Sequence, residues 1–136
     1  MTNSLTKTKS GWELNFAGYG LRVVSASPDM VTMLLDNGSK NYVIQIESKF
    51  KLLDLNKNEE IFELSESLAR SGGLQRLDSL VPARAAVSKE GSLTLAFESG
   101  IQLVVEGSKD YEPWNITGPD DLRIISVPDF SVSVWS

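Results

Sequence analysis

The sequence predicts a mainly β protein, built from two antiparallel β-meanders packed as a sandwich or a flattened barrel. Apolar and polar residues alternate in many short runs, a period of two that is typical of strands with one buried face. Turn signals rich in Gly, Pro, Asn and Asp separate these runs. The order strand, turn, strand also recurs with similar apolar spacing at residues 31–47 and 93–106, although any two amphipathic hairpins share some likeness.

The chain length of 136 residues suits one domain. Residues 1–10 are rich in Ser, Thr and Lys, and we expect them to form a flexible tail ahead of a single β-rich domain at residues 11–136. The Asn37-Gly38 pair is a strong hairpin signal, because both residue types tolerate a positive φ. In the first half of the domain, the expected strands are residues 12–16, 21–26, 31–35, 42–46 and 50–53.

One segment changes its apolar spacing. Leu64 and Leu68 lie four residues apart, as they would on one face of a helix. We therefore expect one short helix near residues 65–71, with Ser65 as its N-cap. A further helical turn is expected over residues 74–80.

The remaining chain returns to the β pattern. Within residues 111–135, a Gly-Pro-Asp-Asp turn and a Pro-Asp turn divide the chain into three runs with large apolar side chains. We expect Trp114 to belong to the core and Trp135, near the end of the sequence, to be partly exposed. The expected strands here are residues 83–87, 93–97, 101–105, 114–116, 122–127 and 132–135.

The C-terminal run resembles a small bacterial family of uncharacterised proteins. The resemblance covers about residues 20–135 and is specific in the last 25 or so. Two positions depart from the family pattern: Asp121 stands where Gly is usual, and Asp129-Phe130 replaces a Gly-Gly turn, although Phe disfavours a positive φ. The matching residues are Tyr111, Glu112, Trp114, Ile116, Gly118, Pro119, Asp120, Leu122, Ile124, Pro128, Val134 and Trp135. The resemblance implies no activity and no catalytic residue, but some members resemble immunity proteins that neutralise a toxin.

The composition excludes several classes of chemistry. The chain has no Cys and no His, so disulfides, thiolate nucleophiles and imidazole bases are ruled out. A net charge of −5 argues against binding to nucleic acid, which needs a basic face. No apolar run is long enough to span a membrane, and the first ten residues lack the apolar centre of a signal peptide. We therefore expect a cytoplasmic protein without cofactor or metal.

Candidate contact residues fall into two groups. The acidic residues could face a basic partner, although turn chemistry and solvation are the simpler explanation. Tyr19, between two glycines, is expected at a loop tip, and Trp135 is the second aromatic candidate. A glycosidase would need a carboxylate spacing that a sequence cannot show, and calcium binding would need alternating carboxylates, of which Asp120-Asp121 alone is a weak sign. The acidic candidates are Glu106, Asp110, Glu112, Asp120 and Asp121.

These observations support three hypotheses about function. The first is a non-catalytic protein-binding module, an immunity-type inhibitor that covers a basic toxin or another bacterial partner. The second is a structural or assembly domain that forms a homodimer through an exposed strand edge. The third, the least supported, is a carboxylate-based enzyme.

Overall fold

The computed structural model describes residues 5–71 and 73–135. In this part of the chain, the structure is mainly strand with little helix. The helical segments are α1 (Glu66–Ser71) and a 3₁₀ helix (Gln75–Ser79). The strands are β1 (Leu5–Lys7), β2 (Gly11–Asn15), β3 (Gly20–Ala26), β4 (Val31–Asp36), β5 (Asn41–Ile46), β6 (Phe50–Leu53), β7 (Glu59–Phe62), β8 (Pro82–Ser88), β9 (Leu93–Phe97), β10 (Gln102–Val105), β11 (Trp114–Thr117), β12 (Arg123–Val127) and β13 (Ser131–Trp135).

The strands form two antiparallel sheets. Sheet A has seven strands in the order β1-β2-β8-β9-β10-β6-β7, and sheet B has six in the order β13-β12-β11-β5-β4-β3. Neither sheet closes on itself, so of the two predicted packings the structure has the sandwich-like one and not the barrel. The repeated hairpins lie in different sheets: residues 31–47 supply β4 and β5 of sheet B, and residues 93–106 supply β9 and β10 of sheet A.

Alternation along the strands explains how the sheets form one core. On β4, Val31, Met33 and Leu35 are buried, while the residues between them are only half-buried. On β9 of the other sheet, Leu93 and Leu95 are buried in the same way, and both sets belong to one apolar cluster. Each such side chain contributes roughly 1.5–3 kcal/mol when it is removed from water.

A buried carbonyl links the two sheets. Gly91 lies in the turn between β8 and β9 of sheet A, and its oxygen accepts two hydrogen bonds from sheet B. The indole Nε1 of Trp114 donates one and the hydroxyl of Ser126 donates the other, each over 2.8 Å. Trp114 is fully buried, as expected, and Ser126 is a buried polar residue whose hydroxyl is satisfied by this bond.

The predicted helix is confirmed. The structure has α1 at Glu66–Ser71, and the Ser65 hydroxyl accepts a 3.1 Å hydrogen bond from the backbone N–H of Leu68, as an N-cap does. The expected further turn is the 3₁₀ helix Gln75–Ser79, in which the side chain of Leu77 is buried. In the described chain, no helix is both long and apolar enough to cross a membrane.

Two short strands were not predicted. The predicted flexible tail is wrong at Leu5–Lys7, which pair with β2 as strand β1; residues 1–4 of that prediction lie outside the described residues. Strand β7 was also missed, because only Phe62 of its four residues is buried and no alternation appears. Both strands lie at the edges of sheet A, where one neighbour and few core contacts leave a weak sequence pattern.

Candidate functional site

The predicted acidic residues fall into two separate groups. Glu106, Asp110 and Glu112 precede β11, whereas Asp120 and Asp121 form the turn after it. All five are exposed. Because β11 is an extended strand of four residues that advance about 3.3 Å each, the two groups lie at opposite ends of it.

Three exposed apolar side chains lie together beside the first acidic group. Ile61, Tyr111 and Phe130 are 60%, 50% and 54% exposed, and all three line one open groove of about 430 Å³. We call it the Phe130 groove. It is lined by residues 48–51, 59, 61, 104, 106–111 and 130.

The charges along the Phe130 groove are of both signs. Lys51 forms a 3.2 Å ion pair with Glu59 across β6 and β7, and both side chains remain partly exposed. Such a surface pair stabilises the fold by less than about 1 kcal/mol. The groove therefore has an apolar centre and a mixed rim, not a uniformly acidic surface. The charged residues that line it are Lys49, Lys51, Lys109, Glu59, Glu106 and Asp110.

Phe130 occupies an unusual backbone conformation. Asp129 and Phe130 have φ of 66° and 53°, so the turn keeps the left-handed geometry that a Gly-Gly pair would adopt freely. Two backbone hydrogen bonds hold it: the N–H of Asp129 donates to Lys109 O over 2.9 Å, and the N–H of Phe130 donates to Ser108 O over 3.0 Å. The left-handed conformation costs an ordinary residue roughly 1–2 kcal/mol.

Tyr111 is held on the other side of the groove. Its hydroxyl donates a 3.4 Å hydrogen bond to Ser48 Oγ, while half of the side chain stays exposed. The preceding turn is fixed locally, since the N–H of Asp110 donates to Ser108 Oγ over 3.1 Å. Hydrogen bonds therefore hold in place both of the segments that carry the exposed rings of Tyr111 and Phe130.

The prediction of an exposed aromatic at Tyr19 is wrong. The side chain is buried, and its ring packs edge-on against Phe16 and Tyr42 with centroids 5.3 and 5.7 Å away. Its backbone N–H donates to Phe16 O, so the glycine-flanked turn folds the ring inward. Burial, and after it the neighbouring Tyr42 hydroxyl, raise the pKa of Tyr19 above its ordinary value near 10.

Trp135 lies away from the Phe130 groove. It is 52% exposed, in agreement with the expected partial exposure, and stands opposite Arg123 on the edge of sheet B. Asp121 lines the same shallow recess, so the structure brings together these two predicted residues. Of the predicted site residues, Glu106 and Asp110 thus line the groove, Asp121 and Trp135 line this recess, and Tyr19 lies in the core, while Glu112 and Asp120 are exposed outside both.

The carboxylates show no arrangement for binding a metal ion within residues 5–71 and 73–135, where no cluster of three or more suitable side chains occurs.

One carboxylate, that of Asp54, stabilises a turn. Backbone hydrogen bonds from Asn58 and Asn56 to the Asp54 side chain lower the pKa of that carboxyl below its usual range, and they shape the turn between β6 and β7.

A comparison with protein families assigns the chain. A family model described as a family of unknown function, DUF6188, matches residues 12–136. The chain belongs to DUF6188. The predicted membership of an uncharacterised family is thereby confirmed, while the C-terminal signature and the likeness to immunity proteins stay predictions. No curated protein and no solved structure matches the chain.

The groove of this DUF6188 member includes residues that sequence reasoning did not select. Ile61 lies on the missed strand β7, and nothing in its local pattern marks it as a surface contact. Phe130 did carry a signal, since the expected family pattern has glycine in this turn, and the structure gives Phe130 a positive φ. The sequence marks Tyr111 as the start of the C-terminal run and as part of the family resemblance, but not as a surface contact.

Proposed function

We propose that the protein is a non-catalytic protein-binding module that uses the Phe130 groove, and that it acts as an immunity-type inhibitor covering a toxin. The observation that carries the proposal is the convergence of Ile61, Tyr111 and Phe130, each at least half exposed, on one groove. Exposed apolar groups gathered at one place and rimmed by polar residues are typical of protein interaction sites.

The strained turn supports the same proposal. The fold keeps a half-exposed aromatic ring at a φ of 53°, where glycine would fit without strain. Strain of this kind concentrates at functional positions, where the surrounding structure holds it in place. Tyr and Phe are also enriched at the centres of protein interfaces, since each buries much area with few rotatable bonds.

The charged residues at the Phe130 groove indicate the charge of the partner. Glu106 and Asp110 line the groove together with Lys49, Lys109 and the Lys51–Glu59 ion pair, and the exposed Glu112 follows Tyr111 in sequence. Complementary charges of a basic toxin would speed association and select the partner. Asp120 and Asp121 lie at the other end of β11, in a turn where both residues have a positive φ.

The proposal is tested by producing the protein together with the products of genes that neighbour its own. Rescue of growth from a toxic neighbour, with recovery of a complex, is the expected result. Tyr111→Ala and Ile61→Ser should weaken the complex at least tenfold, because each removes apolar contact area. Leu55→Ser is the matched control, since Leu55 is 72% exposed and lies outside the groove.

A second set of variants separates the two acidic groups. Removing both charges by Glu106→Gln with Asp110→Asn should slow association, whereas Asp120→Asn with Asp121→Asn should not. Stopped-flow measurement at low and high salt separates the association rate from its charge dependence. A neighbourhood without toxins and empty pull-downs would refute the immunity role; binding unaffected by the groove variants would refute the site.

A further inference from the structure

The four edges of the two sheets are not protected alike. Natural proteins block exposed edges with short strands, charges, bulges or covering groups, because an open edge can pair with another strand. Strand β1 has three residues and ends in Lys7. Strand β7 carries Glu59 and Glu60 among its four residues.

The long edge of sheet B at β3 is blocked in two ways. A bulge between Val23 and Ser25 breaks its register with β4. The N–H of Val23 also donates a 2.7 Å hydrogen bond to the Asp78 carboxylate, which reaches it from the 3₁₀ helix. An incoming strand would have to displace this contact.

Strand β13, at the opposite edge of sheet B, is approached at its first residue, where Gly91 lies against the backbone of Ser131. It reads Ser-Val-Ser-Val-Trp, has no charge, proline or bulge, and in the described chain pairs only with β12. Val132 and Val134 pair with Ser126 and Ile124, whose side chains are buried. The two valines therefore face the core at its open side, where they are only partly covered.

We propose that β13 is a dimerisation edge, which pairs antiparallel with β13 of a second copy of this chain to continue sheet B across a two-fold axis. The strand is self-complementary. With Ser133 on the axis, Val132 lies opposite Val134 of the second copy, and the same pair forms again on the other side. Cross-strand pairs of β-branched residues stabilise antiparallel sheets.

The absence of charge within β13 favours a second copy of this chain as the occupant of this edge. Pairing of two copies through β7 would bring Glu59 and Glu60 of both chains together, although Lys51 and Arg76 already pair with them within each chain. Pairing through β13 brings no charges within the strand together. The contact is small, since one five-residue strand supplies it, and it belongs with weak and reversible interfaces.

This inference does not depend on the proposed function, because β13 pairs through its backbone and the Phe130 groove is not required. The first experiment is analytical ultracentrifugation of the whole chain from about 5 to 500 µM, a range suited to weak self-association. We expect the mass to move from one chain toward two. Higher salt should strengthen the dimer, since it screens the repulsion between two negatively charged copies.

The decisive variants place a charged side chain at position 133, on the proposed two-fold axis. Ser133→Lys and Ser133→Glu should each weaken the dimer about tenfold, because like charges then stand opposite each other. An equal mixture of the two variants should dimerise again. Ser133 lies on the outer face of sheet B beside Ile125, which is only half-buried, so the substitutions leave the core unchanged.

Thr6→Lys on the edge strand β1 is the matched control and should dimerise as the unchanged chain does. Hydrogen exchange at residues 131–135 should slow as concentration rises, while exchange in β3 stays constant. A chain that remains monomeric over the whole range would overturn the proposal. So would a dimer that both Ser133 variants leave intact, or a mixture of the variants that fails to dimerise.

Discussion

Trp114 of sheet B donates its indole hydrogen bond to the carbonyl oxygen of Gly91 in sheet A, over 2.8 Å and out of contact with solvent. The residue combines two roles that are often separate in a sandwich. Its ring fills the space between the sheets, and its one polar atom fixes their relative position. Ser126 donates to the same oxygen, so both lone pairs of this carbonyl are used.

Trp114→Phe should lower the free energy of unfolding by about 2–4 kcal/mol, because the variant loses a buried hydrogen bond and leaves a cavity. Urea denaturation followed by circular dichroism measures the change. Trp135→Phe provides the control: that ring is half exposed, and its replacement should change stability by less than about 0.5 kcal/mol. Equal effects of the two substitutions would contradict the role assigned to Trp114.

Gly91→Ala should lower the free energy of unfolding by about 3 kcal/mol, for two reasons. Gly91 has a φ of 87°, and a Cβ atom there would stand 2.7 Å from Ser131 O and 2.9 Å from Ser126 Oγ. Gly18→Ala isolates the first reason, since Gly18 has a φ of 85° but no atom within 4 Å of the added carbon. Gly18→Ala, the control, should lower the free energy of unfolding by only about 1 kcal/mol. Thermal unfolding of both variants gives the comparison, and a smaller loss at Gly91 than at Gly18 would be the opposite of what we expect.

Phe130→Gly should stabilise the isolated protein by about 0.5–1 kcal/mol, because glycine adopts a positive φ without strain. The same change should weaken partner binding through the Phe130 groove. Phe130→Leu, which keeps the strain and loses the aromatic ring, should not gain stability. Calorimetry distinguishes the two variants, and a destabilised Phe130→Gly protein would show that the ring contributes to the fold more than it strains the backbone.

Tyr19 makes the free energy of unfolding fall as the pH becomes alkaline. Because its pKa is raised in the folded state, the folded chain holds the phenolic proton more tightly than the unfolded chain does. This contribution is complete below the unfolded pKa near 10 and is lost as the pH rises through the folded value. In urea titrations between pH 8 and 11, Tyr19→Phe should therefore show a smaller loss of stability than the unchanged chain. A pH dependence that the substitution leaves unaltered would assign the alkaline effect to other groups.

Much of the fold could be predicted because most strands have one buried face. Val31, Met33 and Leu35 show this directly, since each is spaced by two and each reaches the core. The pattern fails where a strand has no buried face to impose it. In β7, Glu59, Glu60 and Ile61 are all exposed, so pairing with β6 is decided by tertiary structure and not by local sequence.

The candidate site could not be predicted in the same way. The Phe130 groove is assembled from segments far apart in sequence, around residues 48–51, 59–61, 104–111 and 130. Conversely, Glu112 and Asp120 are close in sequence but lie at opposite ends of a strand. Tyr19 illustrates a third difficulty, because flanking glycines indicate a turn without showing which way the ring between them points.

The order of strands also bears on how the chain reaches its folded state. Leu14 pairs with Ala85 in one sheet and Ile44 pairs with Ile116 in the other, so each sheet joins segments about 70 residues apart. Such distant pairings must wait for large loops to close, and we expect folding on the millisecond-to-second scale typical of β-sandwiches. A fragment that stopped before β8 would leave β2 without β8 and β5 without β11, so neither half of the chain should fold independently.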